Sequence, residues 1–117
     1  MALSKNRSPD KRWNQAAFID DSQPDVDSLV VFGDIDMANA PDFDTALEGL
    51  PLQDGPLVVD LRNCKYLDSC GIKILIKHQR RRTQFRVLVL RGSTIARILE
   101  VAHLSELVHL ELSPCER

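Results

Sequence analysis

The sequence is short of cysteine and of long apolar runs, and each shortage closes off a class of protein. Three cysteines in 117 residues, Cys64, Cys70 and Cys115, make neither a disulfide framework nor the close C-x-x-C pairs of a zinc site. No stretch reaches the roughly eighteen consecutive apolar residues of a membrane-spanning helix. The opening MALSKNRSPDKRWNQ also lacks the apolar segment of a signal peptide. No membrane span is therefore expected, and the expected location is cytoplasmic. A basic excess is missing too: the net charge is -2, which argues against a dedicated nucleic-acid binder. The chain has no internal repeat, no glycine-rich phosphate loop, no G-x-S-x-G elbow and no clustered metal ligands, so neither cofactor nor metal is expected.

What remains is the material of one domain. With 44% hydrophobic and 27% charged residues, a chain of this length buries roughly two thirds of its unfolded surface and sustains a core without staples. Residues 1–12, rich in Ser, Asn, Lys and Arg and containing Pro9, hold too little apolar surface to offset their ordering entropy. They are expected to form a flexible tail, with 13–117 as the folded domain. Charge is spread unevenly, since residues 1–68 carry 13 acids and 6 bases whereas residues 69–99 carry 8 bases and no acid. This predicts an electrical polarity, read first as solvated helix faces and second as a field that steers a charged partner. The run Arg80-Arg81-Arg82 is read the same way, as the solvated end of a helix whose dipole favours cations.

Periodicity predicts the elements. Trp13 to Ile19 and Ser28 to Phe32 flank the turn-rich DDSQPDVD and read as neighbouring antiparallel strands, the second ended by Gly33. Phe43, Ala46, Leu47 and Leu50 recur at helical steps within Met37 to Leu50, with Pro41 tolerated only near the first turn. Leu57 to Leu61 and Val87 to Leu90 are short, branched and nearly continuous apolar runs; the first is expected to be buried on both faces. Between them Cys70 to Arg82 sets Ile72, Leu75 and Ile76 on one helical face. Ser93 caps a last helix bearing Ile95, Ile98, Leu99 and Ala102, and Leu107 to Leu112 returns as a strand. The order ββαβαβαβ predicts an α/β domain with a mixed, mostly parallel β-sheet, an antiparallel first strand and amphipathic helices.

In such sheets function gathers where a strand's carboxyl end meets the next helix. Here that is Asn63-Cys64-Lys65-Tyr66-Leu67-Asp68-Ser69-Cys70-Gly71-Ile72. Asp68 and Ser69 are residues that satisfy orphan amides at a helix start, and capping alone would account for them. The same Ser69 hydroxyl, beside free amides and the positive end of a helix dipole, is also placed to carry a phosphate, with Gly71 leaving the approach uncluttered. A nucleophilic Ser69 needs an adjacent base, and His78 lies nine residues along the same helix, roughly 13 Å away. His103 and His109 belong to the last helix and strand region. Cys70, in a first helical turn, is either a small packed side chain or a reactive thiol open to redox control.

Gly33-Asp34-Ile35-Asp36 before a helix, Val59-Asp60-Leu61 in a strand and Leu67-Asp68-Ser69-Cys70-Gly71-Ile72 opening the next helix together resemble the STAS domain, shared by anti-sigma factor antagonists and sulphate transporters. The likeness spans roughly residues 26 to 112. It implies a non-enzymatic partner-switching protein of bacterial transcription, whose Ser69 is phosphorylated by an anti-sigma factor serine kinase and reset by a serine phosphatase. It also implies that the unphosphorylated form binds that kinase, that Asp36 lies near the acceptor and aids recognition, and that Asp68, Cys70 and Gly71 share the patch. Cys70 departs from the family's usual Ser, Thr or Ala at that position. A second expectation within the resemblance is an accessory subunit docking on a transporter ATPase. From another class comes a hydrolase using Ser69 with His103 or His109, or Cys70 as nucleophile.

Overall fold

In the computed structural model, which describes residues 16–101 and 109–113, alternating apolar positions become the inward faces of adjacent strands. The elements are β1 (Ala17–Asp20), β2 (Asp27–Phe32), α1 (Ala40–Glu48), β3 (Leu57–Asn63), α2 (Ser69–Gln79), β4 (Phe85–Leu90), α3 (Thr94–Val101) and β5 (His109–Ser113). They form one five-stranded sheet in the order β1-β2-β3-β4-β5. Strand β1 runs antiparallel to β2 and the remaining pairs are parallel. The predicted order of elements and the mixed sheet are both present. The expected tail, Trp13 to Gln15 of the first strand, Ala102, His103, Leu107 and Cys115 lie outside the described residues.

Strands that step steadily in one direction through right-handed crossovers carry their helices on one face. Burial follows that rule. Leu29, Val31, Leu57, Val59, Leu61, Val87 and Val89 are all 1% exposed or less, and Phe43 and Leu47 of α1, Leu75 of α2 and Ile95 and Leu99 of α3 close over them. Each such side chain contributes about 1.5–3 kcal/mol on leaving water. Phe18 of β1 joins the same core by stacking on Phe43, with ring centroids 5.7 Å apart.

The second face meets the expectation in part. Strand β3 is fully covered on its helical side; on the other, Val58 is half-buried, and Asp60 is buried beneath Arg62, which donates to its two carboxylate oxygens at 2.9 and 2.8 Å. Partial burial pushes the Asp60 carboxyl up, but these bonds outweigh it and hold it below the ordinary carboxylate value. One-sided crossovers leave no described helix for that face.

Part of the charge asymmetry is met by ion pairs between elements. Lys77 lies 2.8 Å from Asp44 and 3.3 Å from Glu48, Arg81 lies 2.7 Å from Glu48, and His78 Nε2 lies 2.7 Å from Asp44. Acids of α1 thus neutralise the basic side of α2. Arg82 is the larger correction. Helix α2 stops at Gln79 with Arg80 as its C-cap, and Arg82 turns inward to pair with Asp27 at 2.8 Å, with side chains 1% and 0% exposed. Asp27 also accepts the amides of Leu52 at 3.0 and 3.1 Å and Gln53 at 3.2 Å. The buried carboxylate therefore ties the starts of β2 and β4 to the loop after α1.

Candidate functional site

Two loops at the carboxyl ends of β2 and β3 build the site. Gly33 leaves β2 with φ 97°, a left-handed conformation that glycine adopts without penalty. The chain then reaches Ile35, whose amide donates to the Tyr66 carbonyl at 2.9 Å while its carbonyl accepts from the Asp68 amide at 3.1 Å. This parallel bridge between Ile35 and Leu67 fastens the loops together, and both side chains are buried beneath it.

Asp36 closes the next turn. Its Oδ1 accepts from the amides of Ala38 at 3.0 Å and Asn39 at 3.1 Å. Asn39 answers by accepting from the Asp36 amide at 2.9 Å and donating to the Asp34 carbonyl at 2.8 Å. Because that turn takes residues 36 to 39, α1 begins at Ala40 and not at Met37, and Pro41 falls in its first turn. The reciprocal Asp-x-x-Asn pattern just ahead of Pro41 was the available signal for Asn39, which sequence reasoning missed.

On the other loop, the buried Cys64 thiol donates to the Tyr66 carbonyl at 3.3 Å. Burial pushes it up to about 11, so it stays protonated and packed. Asp68 is the N-cap of α2: in extended conformation, its Oδ1 accepts from Cys70 at 2.9 Å and Gly71 at 3.3 Å. Ser69 is therefore the first residue inside the helix and not its cap. Its side chain is exposed and has no hydrogen-bond partner among the described residues. The amides expected to stand free beside it are instead held by the Asp68 carboxylate, which leaves the hydroxyl spare and facing outward.

Gly71 differs from expectation as well. It is buried, and a Cβ there would lie 2.3 Å from Leu67 Cδ1 and 3.1 Å from Ile35 Cγ2. Glycine is required so that α2 can lie close on the bridge that joins the loops, not to open the approach to Ser69. Cys70 is half-buried and packed against the core. The structure thus brings Asp36, Asp68, Ser69, Cys70 and Gly71 into one stitched pair of loops, with Asp36 and Asp68 both engaged in turn-closing bonds.

Alternative chemistry finds less support in the geometry. His78 is buried with its Nε2 on Asp44, a helix length away from Ser69. His109 starts β5 opposite Arg86, at the amino edge of the sheet, whereas Ser69 follows the carboxyl end of β3. His103 lies outside the described residues. Ligand atoms of Asp44, Glu48 and His78 lie within 4.8 Å of one another, but Lys77 and Arg81 already occupy those carboxylates, and a metal ion would have to displace them. A cleft of about 270 Å³ lined by Asp25, Val26, Pro56, Leu57, Val58, Gln84 and Arg86 also opens at the amino edge, away from Ser69. Among the described residues no helix is long and apolar enough to cross a membrane.

Known proteins resemble this chain in sequence and in fold. The anti-sigma-B factor antagonists of Listeria monocytogenes serovar 1/2a and Listeria innocua serovar 6a are each 28% identical over 99 residues, covering 80% of this chain and 87% of theirs. The crystal structure of an anti-sigma factor antagonist from Mycobacterium paratuberculosis superposes with a TM-score of 0.71 at 26% identity, over 83% of this chain and 86% of that one. The unphosphorylated form of the anti-sigma factor antagonist SpoIIAA shares the fold, with a TM-score of 0.51 at 15% identity over 86% of this chain and 90% of that one. These relatives are regulatory proteins. A family model described as "Mlab, STAS domain" matches residues 19–112, and the chain belongs to the STAS domain family.

Proposed function

We propose that this chain is an anti-sigma factor antagonist that binds an anti-sigma factor serine kinase while Ser69 is unmodified and is released when that kinase phosphorylates Ser69. The observation that carries the reading is the division of labour at the start of α2. Asp68 does the capping, so the exposed Ser69 hydroxyl can be modified at no cost to the helix. The role printed for the Listeria relatives supports it.

In the reaction the Ser69 oxygen attacks the γ-phosphorus of ATP, ADP departs and the hydroxyl proton passes to a base of the kinase. The new group adds about -1.5 to -2 charges. With the Cys70 and Gly71 amides held by Asp68, the phosphate cannot retire into them and is displayed to the partner. Stranding such a charge in a closed interface costs about 3–5 kcal/mol, a hundredfold to a few thousandfold in affinity. The carboxylates of Asp36 and Asp68 add repulsion on the same surface, Cys70 contributes its exposed portion, and Gly71 supports the loops from below. A serine phosphatase restores the binding form, and the bound kinase no longer restrains its sigma factor.

The test is incubation with ATP and the anti-sigma serine kinase of the same genome, followed by intact-mass measurement. One phosphate on the wild-type chain and none on Ser69→Ala is expected. An unmodified wild type, or a phosphate that persists in Ser69→Ala, would overturn the reading.

A further inference from the structure

Five large hydrophobic side chains are exposed among the described residues: Ile19, Phe32, Met37, Tyr66 and Val101. Two of these, Met37 at 72% and Tyr66 at 47% exposed, stand in the two loops that the Ile35–Leu67 bridge joins beside Ser69. Neither belongs to the buried core. We infer that Met37 and Tyr66 are the apolar anchors by which the partner grips the Ser69 surface.

Three features of the structure converge on this. Methionine and tyrosine are enriched at protein interfaces, and tyrosine is among the commonest residues to dominate binding energy. Both anchors ride on backbone that is already fixed: Met37 lies inside the turn closed by Asp36 and Asn39, and the Tyr66 carbonyl is held by Ile35 and by the Cys64 thiol. Little ordering entropy is then lost on docking. Finally, Asp36 and Asp68 close their turns through Oδ1, which leaves each Oδ2 to accept from a partner. The complementary surface is a protein face with two apolar recesses bordered by basic side chains. Affinity then comes from the recesses, and the modification of Ser69 on the same pair of loops acts as the veto.

The inference rests on the proposed kinase partner, so the experiment separates the two. Binding of the same anti-sigma serine kinase is measured by calorimetry for wild type, Met37→Ala, Tyr66→Ala, Ser69→Asp and Val101→Ala. Thermal melting checks that each variant is folded. Each anchor variant is expected to weaken binding roughly thirtyfold, the scale of a strong interface residue. Val101→Ala, equally exposed at the far end of α3, is expected to stay within twofold. If Met37→Ala and Tyr66→Ala bind within threefold of wild type while Ser69→Asp does not bind, the anchors are refuted and the kinase reading stands. A comparable loss in Val101→Ala refutes them too, since the effect would then be general. Absence of any binding by wild type removes the kinase reading and the anchors together.

Discussion

Replacing Gly71 with alanine tests how α2 is seated on the loops that present Ser69. The added Cβ would sit 2.3 Å from Leu67 Cδ1, 3.2 Å from Leu67 Cγ and 3.1 Å from Ile35 Cγ2. Leu67 and Ile35 are 1% and 0% exposed, so neither can swing into solvent, and either Leu67 repacks within the core or the helix shifts. Overpacking of this kind costs about 1–3 kcal/mol. Alanine's better helix propensity returns at most about 1 kcal/mol, and less in a first turn. The net expectation is a loss of about 1–2 kcal/mol, or a melting temperature lower by about 4–8 °C for a domain of this size. Thermal denaturation followed by circular dichroism reads it directly. Leu67→Val removes the clashing carbon, so in the double variant Gly71→Ala should cost little beyond Leu67→Val alone, a positive coupling between the two sites. A Gly71→Ala chain as stable as wild type, or additive losses in the pair, would refute the close-packing account of this glycine.

The other predictions concern charge and capping. Asp27→Ala leaves Arg82 buried without its carboxylate and should cost about 3–5 kcal/mol, a fall of about 12–20 °C. Arg82→Met should cost less, because Asp27 keeps the amides of Leu52 and Gln53; equal melting of all three chains would contradict the buried pair. Asp68→Ala should lose about 1 kcal/mol of cap stability in urea denaturation, while Ser69→Ala stays within about 0.5 kcal/mol of wild type. The reverse ranking would return the capping role to Ser69. The hydrogen bond from Arg81, with Lys77 behind it, holds Glu48 below its ordinary value, and Lys77 and His78 do the same for Asp44 against the opposing effect of burial. Carboxyls lowered in the folded state stabilise it above their unfolded values, about pH 4, and lose that contribution as pH falls through the folded ones. Lys77, raised chiefly by its hydrogen bond to Asp44, has the opposite sign and loses its contribution only at strongly alkaline pH. The stability gap between wild type and Asp44→Asn should therefore be open at neutral pH and close in acid; a gap independent of pH would contradict the helix-to-helix ion pairs.

The sheet was legible because its strands are the most apolar short runs in the chain, and Leu57 to Leu61 and Val87 to Leu90 lie within β3 and β4. Ser93 was legible as a cap for a similar reason: it has the local chemistry, and its Oγ accepts from the Ala96 amide at 3.1 Å. The partnership of Arg82 and Asp27 was not legible, since 55 residues separate them and nothing local distinguishes a buried arginine from the exposed Arg80 and Arg81 beside it. Nor could composition show that the acids of α1 face the bases of α2, because that depends on how the two helices lie side by side. At the site, Asp68 and Ser69 were both visible as cap-type residues, but which of them takes the amides is decided by a single step in register. That step set the Ser69 hydroxyl free. Gly71 was noticed for the wrong reason, as its neighbours Leu67 and Ile35 come together only through the bridge between loops.

The most direct test of the switch is the affinity of the anti-sigma serine kinase for this chain in two forms, unmodified and carrying phosphate on Ser69, measured in parallel by calorimetry. A hundredfold or greater loss on phosphorylation, with melting temperatures of the two forms within a few degrees of each other, is the predicted result. Equal affinities of the two forms for the kinase would contradict the claim that the exposed hydroxyl of Ser69 governs the partner.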